Sequence, residues 1–226
     1  MSPAHQTALI VGASRGLGFG LAHEYVRRGW RVIGTVRKPS PALQKLAPQP
    51  RIETLDINHA DQIATLRHKL SSETIDLLFV NAGISNGGGE TLANASNDVF
   101  TTIMATNALS PLRVIEALAD LVPNNGVIAA MSSGLGSVAN NCNGGWEFYR
   151  ASKATLNTLL RSFAARRGDG RTILAVAPGW VRTDMGGPRA AIDVETSVRG
   201  IATMIDARRG HAGSFFVNYE NRELPW

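Results

Sequence analysis

Tyr149-Arg150-Ala151-Ser152-Lys153 sets a phenol and an ammonium four residues apart. In a helix that spacing turns both side chains to one face. A free tyrosine has a pKa of about 10 and moves protons poorly near neutrality. A fixed cation one turn away favours the phenolate and would bring that value down. Each tenfold gain in acidity takes about 1.4 kcal/mol of differential interaction. The pair reads as a proton shuttle, with Tyr149 giving or taking the proton and Lys153 making it able to. Ordinary solvated helices carry the same spacing, so the chemistry needs a site around it. Ser132 and Ser133 follow the apolar run Val127–Met131. Either hydroxyl could steady negative charge developing on an oxygen, or simply hydrogen-bond at a strand end.

Residues 7–29, TALIVGASRGLGFGLAHEYVRRG, pass from an apolar run through a glycine-punctuated turn into a helical pattern. Gly12, Gly16 and Gly18 allow positive φ and remove the Cβ atoms that would hold a phosphate off the backbone. With Ser14, Arg15 and Leu17 between them, they open a helix whose first N–H groups suit a pyrophosphate. A tight glycine-rich turn with no ligand would look similar, and the spacing is not the usual G-x-G-x-x-G. The Lys-Ser/Thr ending of a Walker loop is missing. The next strand ends in Gly34-Thr35-Val36-Arg37-Lys38, without the acid that takes a ribose 2′-hydroxyl in NAD binders. Arg37 can grip a 2′-phosphate bidentately, with Arg15 reaching it from the other side. NADP(H) is therefore favoured over NAD(H), although a solvated strand end would carry the same cations. Asp56, with Ile57 beside it, ends the following strand and could accept from an adenine amino group.

The elements that must position these groups alternate. Strand-like runs at 7–11, 31–36, 52–55, 75–80, 127–131, 172–177 and 214–218 are separated by helical patterns at about 18–28, 59–70, 96–121, 148–167 and 194–208. Pro111 is expected to bend the long third helix, 96–121. Unbroken apolar strands mean helices on both faces, and hence a single α/β domain over residues 1–226, a Rossmann-like doubly wound parallel sheet. Asn81-Ala82-Gly83, the serine pair and Pro178-Gly179 then gather with the glycine turn at the carboxyl rim of the sheet. The 226 residues carry a formal charge of +5 and one cysteine, Cys142. A lone thiol forms no intrachain disulfide and no cysteine metal cluster, so no metal is expected. Met1-Ser-Pro-Ala-His-Gln lacks the basic and apolar regions of a signal peptide, and no apolar run approaches membrane-span length. A cytoplasmic protein without membrane contact is expected. Three arginine doublets, 27–28, 166–167 and 208–209, precede Gly29, Gly168 and Gly210, as helix C-termini with glycine caps would. No basic stripe interleaved with aromatics suggests nucleic acid.

In their order, Gly12-(x)3-Gly16-x-Gly18, Asn81-Ala82-Gly83, Asn107, the serine pair, Tyr149-(x)3-Lys153 and Pro178-Gly179-(x)3-Thr183 resemble the short-chain dehydrogenase/reductase family over nearly the whole chain. The GTVRKP stretch and the Tyr219…Leu224-Pro225-Trp226 ending look most like its C-factor and sniffer-type carbonyl reductase branch. The resemblance implies that Tyr149 is the general acid for carbonyl reduction and the base for alcohol oxidation. It implies that Lys153 holds the nicotinamide ribose, that Asn107 anchors a relay water and that Ser133, with Ser132 as the fallback, steadies the substrate oxygen. Asn81, Ala82 and Gly83 would line the adenosine side. Pro178, Gly179, Val181 and Thr183 would meet the carboxamide and pyrophosphate. A homodimer or homotetramer on helices 97–121 and 149–167 is also implied, with Leu156, Leu159, Leu160 and Phe163 shared between core and interface.

Residues 134–148 and 180–195 form the expected substrate region, the first with extra residues through Asn140–Gly145. Leu135, Trp146, Phe148, Trp180 and Met185 would wall a pocket for an apolar or ring-bearing carbonyl compound, though both tryptophans could equally be packing residues. A nucleotide-dependent interaction or signalling protein, or an epimerase or dehydratase, could use the same scaffold.

Overall fold

The computed structural model describes residues 6–85 and 92–226. Seven strands lie parallel in one sheet: β1 Thr7–Val11, β2 Arg31–Val36, β3 Arg51–Thr54, β4 Leu77–Val80, β5 Val127–Met131, β6 Thr172–Ala177 and β7 Gly213–Asn218. Their order is β3-β2-β1-β4-β5-β6-β7. All five residues of β1, all five of β5 and all six of β6 are buried, as continuous apolar runs demand when helices cover both faces. Alternation along each strand feeds two cores. Leu9 and Val11 face one, and Ala8 and Ile10 the other.

The first core is closed by α3 Ala60–Lys69, α5 Ser110–Leu118 and α6 Glu147–Arg167, with α4 Asn97–Met104 packed beside α6. The second is closed by α1 Gly16–Arg27, the short α2 Pro41–Gln44 and α7 Val194–Arg208. The doubly wound fold read from the sequence is the one observed. Among the described residues, no helix is long and apolar enough to cross a membrane, and no group of side chains could hold a metal ion.

Three local readings change. The helix expected over 96–121 is broken by a π-turn at Ala105–Leu109, where the Ser110 N–H donates to the Ala105 carbonyl. Pro111 has no N–H to offer the Asn107 carbonyl, so the register slips just before the proline. Gly29 and Gly210 take the left-handed φ of 80° expected of caps. Gly168 stays helical at φ −63°, and the reversal falls on Asp169 and Gly170. Beside this reversal the Arg171 guanidinium donates to the Arg167 carbonyl at 3.1 Å, satisfying one of the helix's last acceptors. Finally, Leu156, Leu160 and Phe163 are at most 1% exposed within the chain's own core. They have no surface left to share with a partner, whereas Leu159 packs against the same core and stays partly exposed.

Candidate active site

The sheet reverses its winding between β1 and β4, and a cleft of about 970 Å³ opens at that point, where open α/β sheets place their ligands. Gly12 and Gly16 sit at φ 87° and 54°. A Cβ on Gly12 would lie 3.0 Å from Ala82, and one on Gly18 only 2.0 Å from the Gly12 carbonyl oxygen. The turn is held from both neighbouring strands. Asn81 Nδ2 donates to the Gly12 carbonyl at 2.9 Å, and the Gly12 N–H donates to Thr35 Oγ1 at 3.1 Å. Gly12, Ser14, Arg15, Gly16 and Leu17 face the cleft. Gly18 lies behind it, where the missing Cβ lets α1 seat against the turn. Arg15, the N-cap of α1, makes no capping bond with its side chain. The positive end of a twelve-residue helix thus meets the cleft, and a pyrophosphate fits there.

At the adenosine end, Arg37 is exposed on the cleft wall and makes no ion pair among the described residues. Asp56 lines the wall beside Ile57, and its Oδ1 accepts from the Asn58 N–H at 3.0 Å. Ala82 and Gly83 complete this side. Arg15 does not reach across in this structure but pairs with Asp184, at the base of the 184–190 segment, and both are largely exposed. Sequence reasoning passed over Asn58. This residue lines the cleft, donates to Thr106 Oγ1 at 3.1 Å and accepts from Ser110 Oγ at 2.8 Å. It ties the loop after β3 to the π-turn. Its only signal in the chain is its place directly after Asp56-Ile57.

The proton-shuttle pair sits on α6. A left-handed run, Gly144, Gly145 and Trp146 at φ 62°, 70° and 57°, starts this helix. Arg150 folds back to bond the carbonyls of Gly145 and Gly144 at 2.8 and 3.1 Å. The extra residues after Ser133 therefore end in a braced turn that brings Trp146 to the cleft, its ring edge-on to Tyr149 at 6.3 Å. Tyr149 and Ser133 line the cleft together, the serine hydroxyl favouring the phenolate, and Ser133 caps the short turn Gly134–Gly136 by accepting from the Leu135 N–H at 3.1 Å. Ser132 is committed elsewhere, donating to Asn157 Oδ1 at 2.6 Å. The fallback serine is thus excluded from the Tyr149 side.

Lys153 is buried, with Nζ 2.8 Å from the Met131 carbonyl and 5.7 Å from the Tyr149 ring centre. The electrostatics run against expectation. Burial pushes the Tyr149 phenol up from its ordinary value, and the Ser133 hydroxyl opposes only part of this. Burial also drives the Lys153 ammonium down to about 8. Desolvation is the largest cause for Tyr149 and the sole one for Lys153.

Asn107, in the π-turn, is fully buried and does not face the cleft. Its Oδ1 accepts from the Ile84 N–H at 2.8 Å, and its Nδ2 donates to the Ile84 carbonyl and Ser152 Oγ at 2.9 and 3.0 Å. The side chain is a clamp on the segment after β4.

Opposite α6, Pro178, Gly179, Val181 and Thr183 line the cleft after β6. Thr183 Oγ1 accepts from the Gly186 N–H at 3.1 Å, and Trp180 Nε1 donates to the Gly186 carbonyl at 2.9 Å. Leu135, Trp146, Trp180 and Met185 are all on the cleft wall, joined by Tyr219 and Leu224. Neither Trp146 nor Trp180 belongs to a core. Phe148 does not reach the cleft: it is buried and packs edge-on against Phe100 at 5.6 Å.

Glycine cradle, anion-facing helix end and a Ser–Tyr–Lys group on one rim together define a dinucleotide cleft with proton-transfer groups at its far end. A family model described as short chain dehydrogenase matches residues 6–192, and the chain belongs to that family. It is similar to a protein described as a short-chain dehydrogenase/reductase from Burkholderia multivorans with bound NADP. The two share 47% identity over 98% of this chain and 100% of that one, with a TM-score of 0.95. It is also similar to a carbonyl reductase from Pseudomonas aeruginosa PAO1 in complex with NADP: 38% identity, 99% and 100% coverage, TM-score 0.91. Over 160 residues, 67% of this chain and 93% of the relative, it is 40% identical to the C-signal protein of Myxococcus xanthus.

Proposed function

We propose that the protein is an NADP(H)-dependent oxidoreductase of the C-factor and sniffer-type carbonyl reductase branch, reducing a ketone or aldehyde and oxidising the alcohol in reverse. The observation that carries the reading is that Tyr149, Ser133 and Lys153 line the same end of the cleft, with Lys153 one helical turn from Tyr149. When bound, the dinucleotide supplies the hydride that adds to the carbonyl carbon. Tyr149 and Ser133 donate to the carbonyl oxygen as negative charge develops there, and Tyr149 passes its proton to it. Its raised pKa keeps the phenol protonated, the form that reduction uses.

Lys153 exchanges the Met131 carbonyl for ribose hydroxyls, and the Asn107 carbonyl, denied a proline N–H, takes the relay water. Arg37 holds the 2′-phosphate. Arg15 joins it by leaving Asp184, since an exposed ion pair is worth about 1 kcal/mol or less and a dianion competes well for the guanidinium.

A screen of apolar and aromatic carbonyl compounds, followed by loss of nicotinamide absorbance, tests this reading. NADPH should give the higher kcat/KM, and Arg37→Ala should remove most of that advantage. Higher kcat/KM with NADH would defeat the cofactor assignment. NADPH binding without turnover of any carbonyl would defeat the reductase assignment.

The likeness to C-signal favours a second reading, a nucleotide-dependent signalling protein on the same fold. Tyr149→Phe separates the two. A biological activity that survives the loss of carbonyl reduction belongs to the second.

A further inference from the structure

Tyr149, Lys153 and Asn157 follow one another at i, i+4 and i+8 on a single face of α6, and each meets the end of β5 or the turn after it. Tyr149 faces Ser133 across the cleft rim, and Lys153 bonds the Met131 carbonyl. Asn157 holds two points at once: its Oδ1 accepts from Ser132 Oγ at 2.6 Å, and its Nδ2 donates to the Gly136 carbonyl at 3.3 Å. Asn157 and Ser132 are 3% and 1% exposed. The Ser132 N–H, donating to the Val176 carbonyl at 2.8 Å, extends the β5–β6 pairing by one residue. Gly136 is pressed so close to α6 that a Cβ there would lie 3.0 Å from the Lys153 Cβ. Asn157 therefore brackets Ser133 in the chain, fixing the residue before it and the turn that it caps.

We infer that Asn157 is a positioning residue for the reductase reaction, setting the Ser133 hydroxyl against the Tyr149 phenol through Ser132 and Gly136. The inference rests on the function proposed above. Of the four ties between this face of α6 and the β5 end, two come from groups with another task during turnover and two from Asn157. Lys153 turns to the cofactor, and Tyr149 and Ser133 turn to the substrate oxygen. The two bonds of Asn157 are the ones that persist. A buried amide that satisfies both a hydroxyl and a carbonyl specifies one register of helix against strand, whereas an apolar contact at the same place would permit sliding. Misplacing a reacting group by about 1 Å costs up to about 100-fold in rate.

Asn157→Leu and the double variant Ser132→Ala/Asn157→Leu test this. Kinetics with NADPH, cofactor affinity from tryptophan fluorescence and thermal midpoints are compared. A phenolate titration of Tyr149 near the tyrosinate band, with Tyr149→Phe as the blank, completes the set. Asn157→Leu should lower kcat about 10- to 30-fold with little change in NADPH affinity. The Tyr149 titration should move upward, because the Ser133 hydroxyl that opposes its rise is displaced. Asn157→Leu also strands the Ser132 hydroxyl, so its thermal midpoint falls. The double variant removes the stranded group and should regain most of the midpoint but none of the rate. Recovery of rate together with stability, or an Asn157→Leu protein with unaltered kcat and titration, would overturn the inference. Failure of the wild-type protein to reduce any carbonyl would instead overturn the proposed function, and the titration would still report on Asn157.

Discussion

The two faces of the sheet are packed in opposite ways. On the α1/α7 face the contact is almost wholly apolar. Gly20 brings the helices so close that a Cβ there would lie 2.6 Å from Val194 and 3.0 Å from Val198, with Leu21, Ile201 and Ile205 fully buried around it. Charge appears only at the margin, where Glu24 takes Arg27 and Arg28, and Arg28 reaches Asp206. Those pairs absorb the first arginine doublet. On the α4–α6 face, Asn107, Ser110, Ser152, Lys153 and Asn157 are buried among the apolar residues, each with a hydrogen-bond partner. Buried polar groups are tolerated only when satisfied. The first face holds the sheet closed; the second gives up apolar contact to place donors and acceptors beneath the cleft.

Each face also has its tyrosine, Tyr149 half-buried and Tyr25 fully buried. Tyr149 has Ser133 and faces the cleft, while the Tyr25 hydroxyl has no hydrogen-bond partner and its ring meets Trp30 edge-on at 4.9 Å.

Exchanging those residues breaks or sharpens the contrast. Tyr149→Phe should lower carbonyl reduction about 1000-fold with its thermal midpoint intact, as measured by NADPH consumption and calorimetry. Equal loss of midpoint would make the second face structural like the first.

Lys153→Met should abolish turnover yet stabilise the cofactor-free protein at pH 7. The ordinary lysine value of 10.5 falls to about 8 on folding. Below pH 8 the folded protein therefore bears the full penalty of a buried ammonium. Between pH 8 and 10.5 the folded amine sheds its proton first, and the penalty fades. Allowing for the lost bond to Met131, the gain at pH 7 is about 2 kcal/mol. Chemical denaturation across that pH range should show the wild type catching up with the variant. A pH-independent difference would refute the buried-cation account.

Gly20→Ala should destabilise by about 1 kcal/mol, the overpacking against Val194 and Val198 exceeding the gain in helix propensity. Its kcat should not change, and denaturant midpoints are enough to see the stability loss. Smallest is Tyr25→Phe, which removes an unpartnered hydroxyl and should add up to about 1 kcal/mol with kinetics unaltered. A rate effect there would mean that the first face also serves the chemistry.

The apolar strands, the glycine turn and the Tyr149–Lys153 spacing were all visible in the chain because each is set by neighbours within a few residues. Helical spacing puts Tyr149 and Lys153 on one face whatever surrounds them. The seven strand runs fell within about two residues of their observed limits for the same reason. Phe148 was misplaced because its direction depends on Phe100, which belongs to another helix. Arg15 found Asp184, and Ser132 found Asn157, through contacts that no local pattern announces.

What the amino-acid order alone determined was the set of pieces: alternating β and α periods, a phosphate-sized glycine turn, and a phenol one turn from an amine. Only the tertiary structure decided which serine meets Tyr149, where Asn107 points, and in which direction the phenol's acidity moves. Periodicity is a property of adjacent residues. Desolvation and hydrogen-bond partnership depend on segments brought together from distant parts of the chain, so burial could reverse the effect that spacing had suggested.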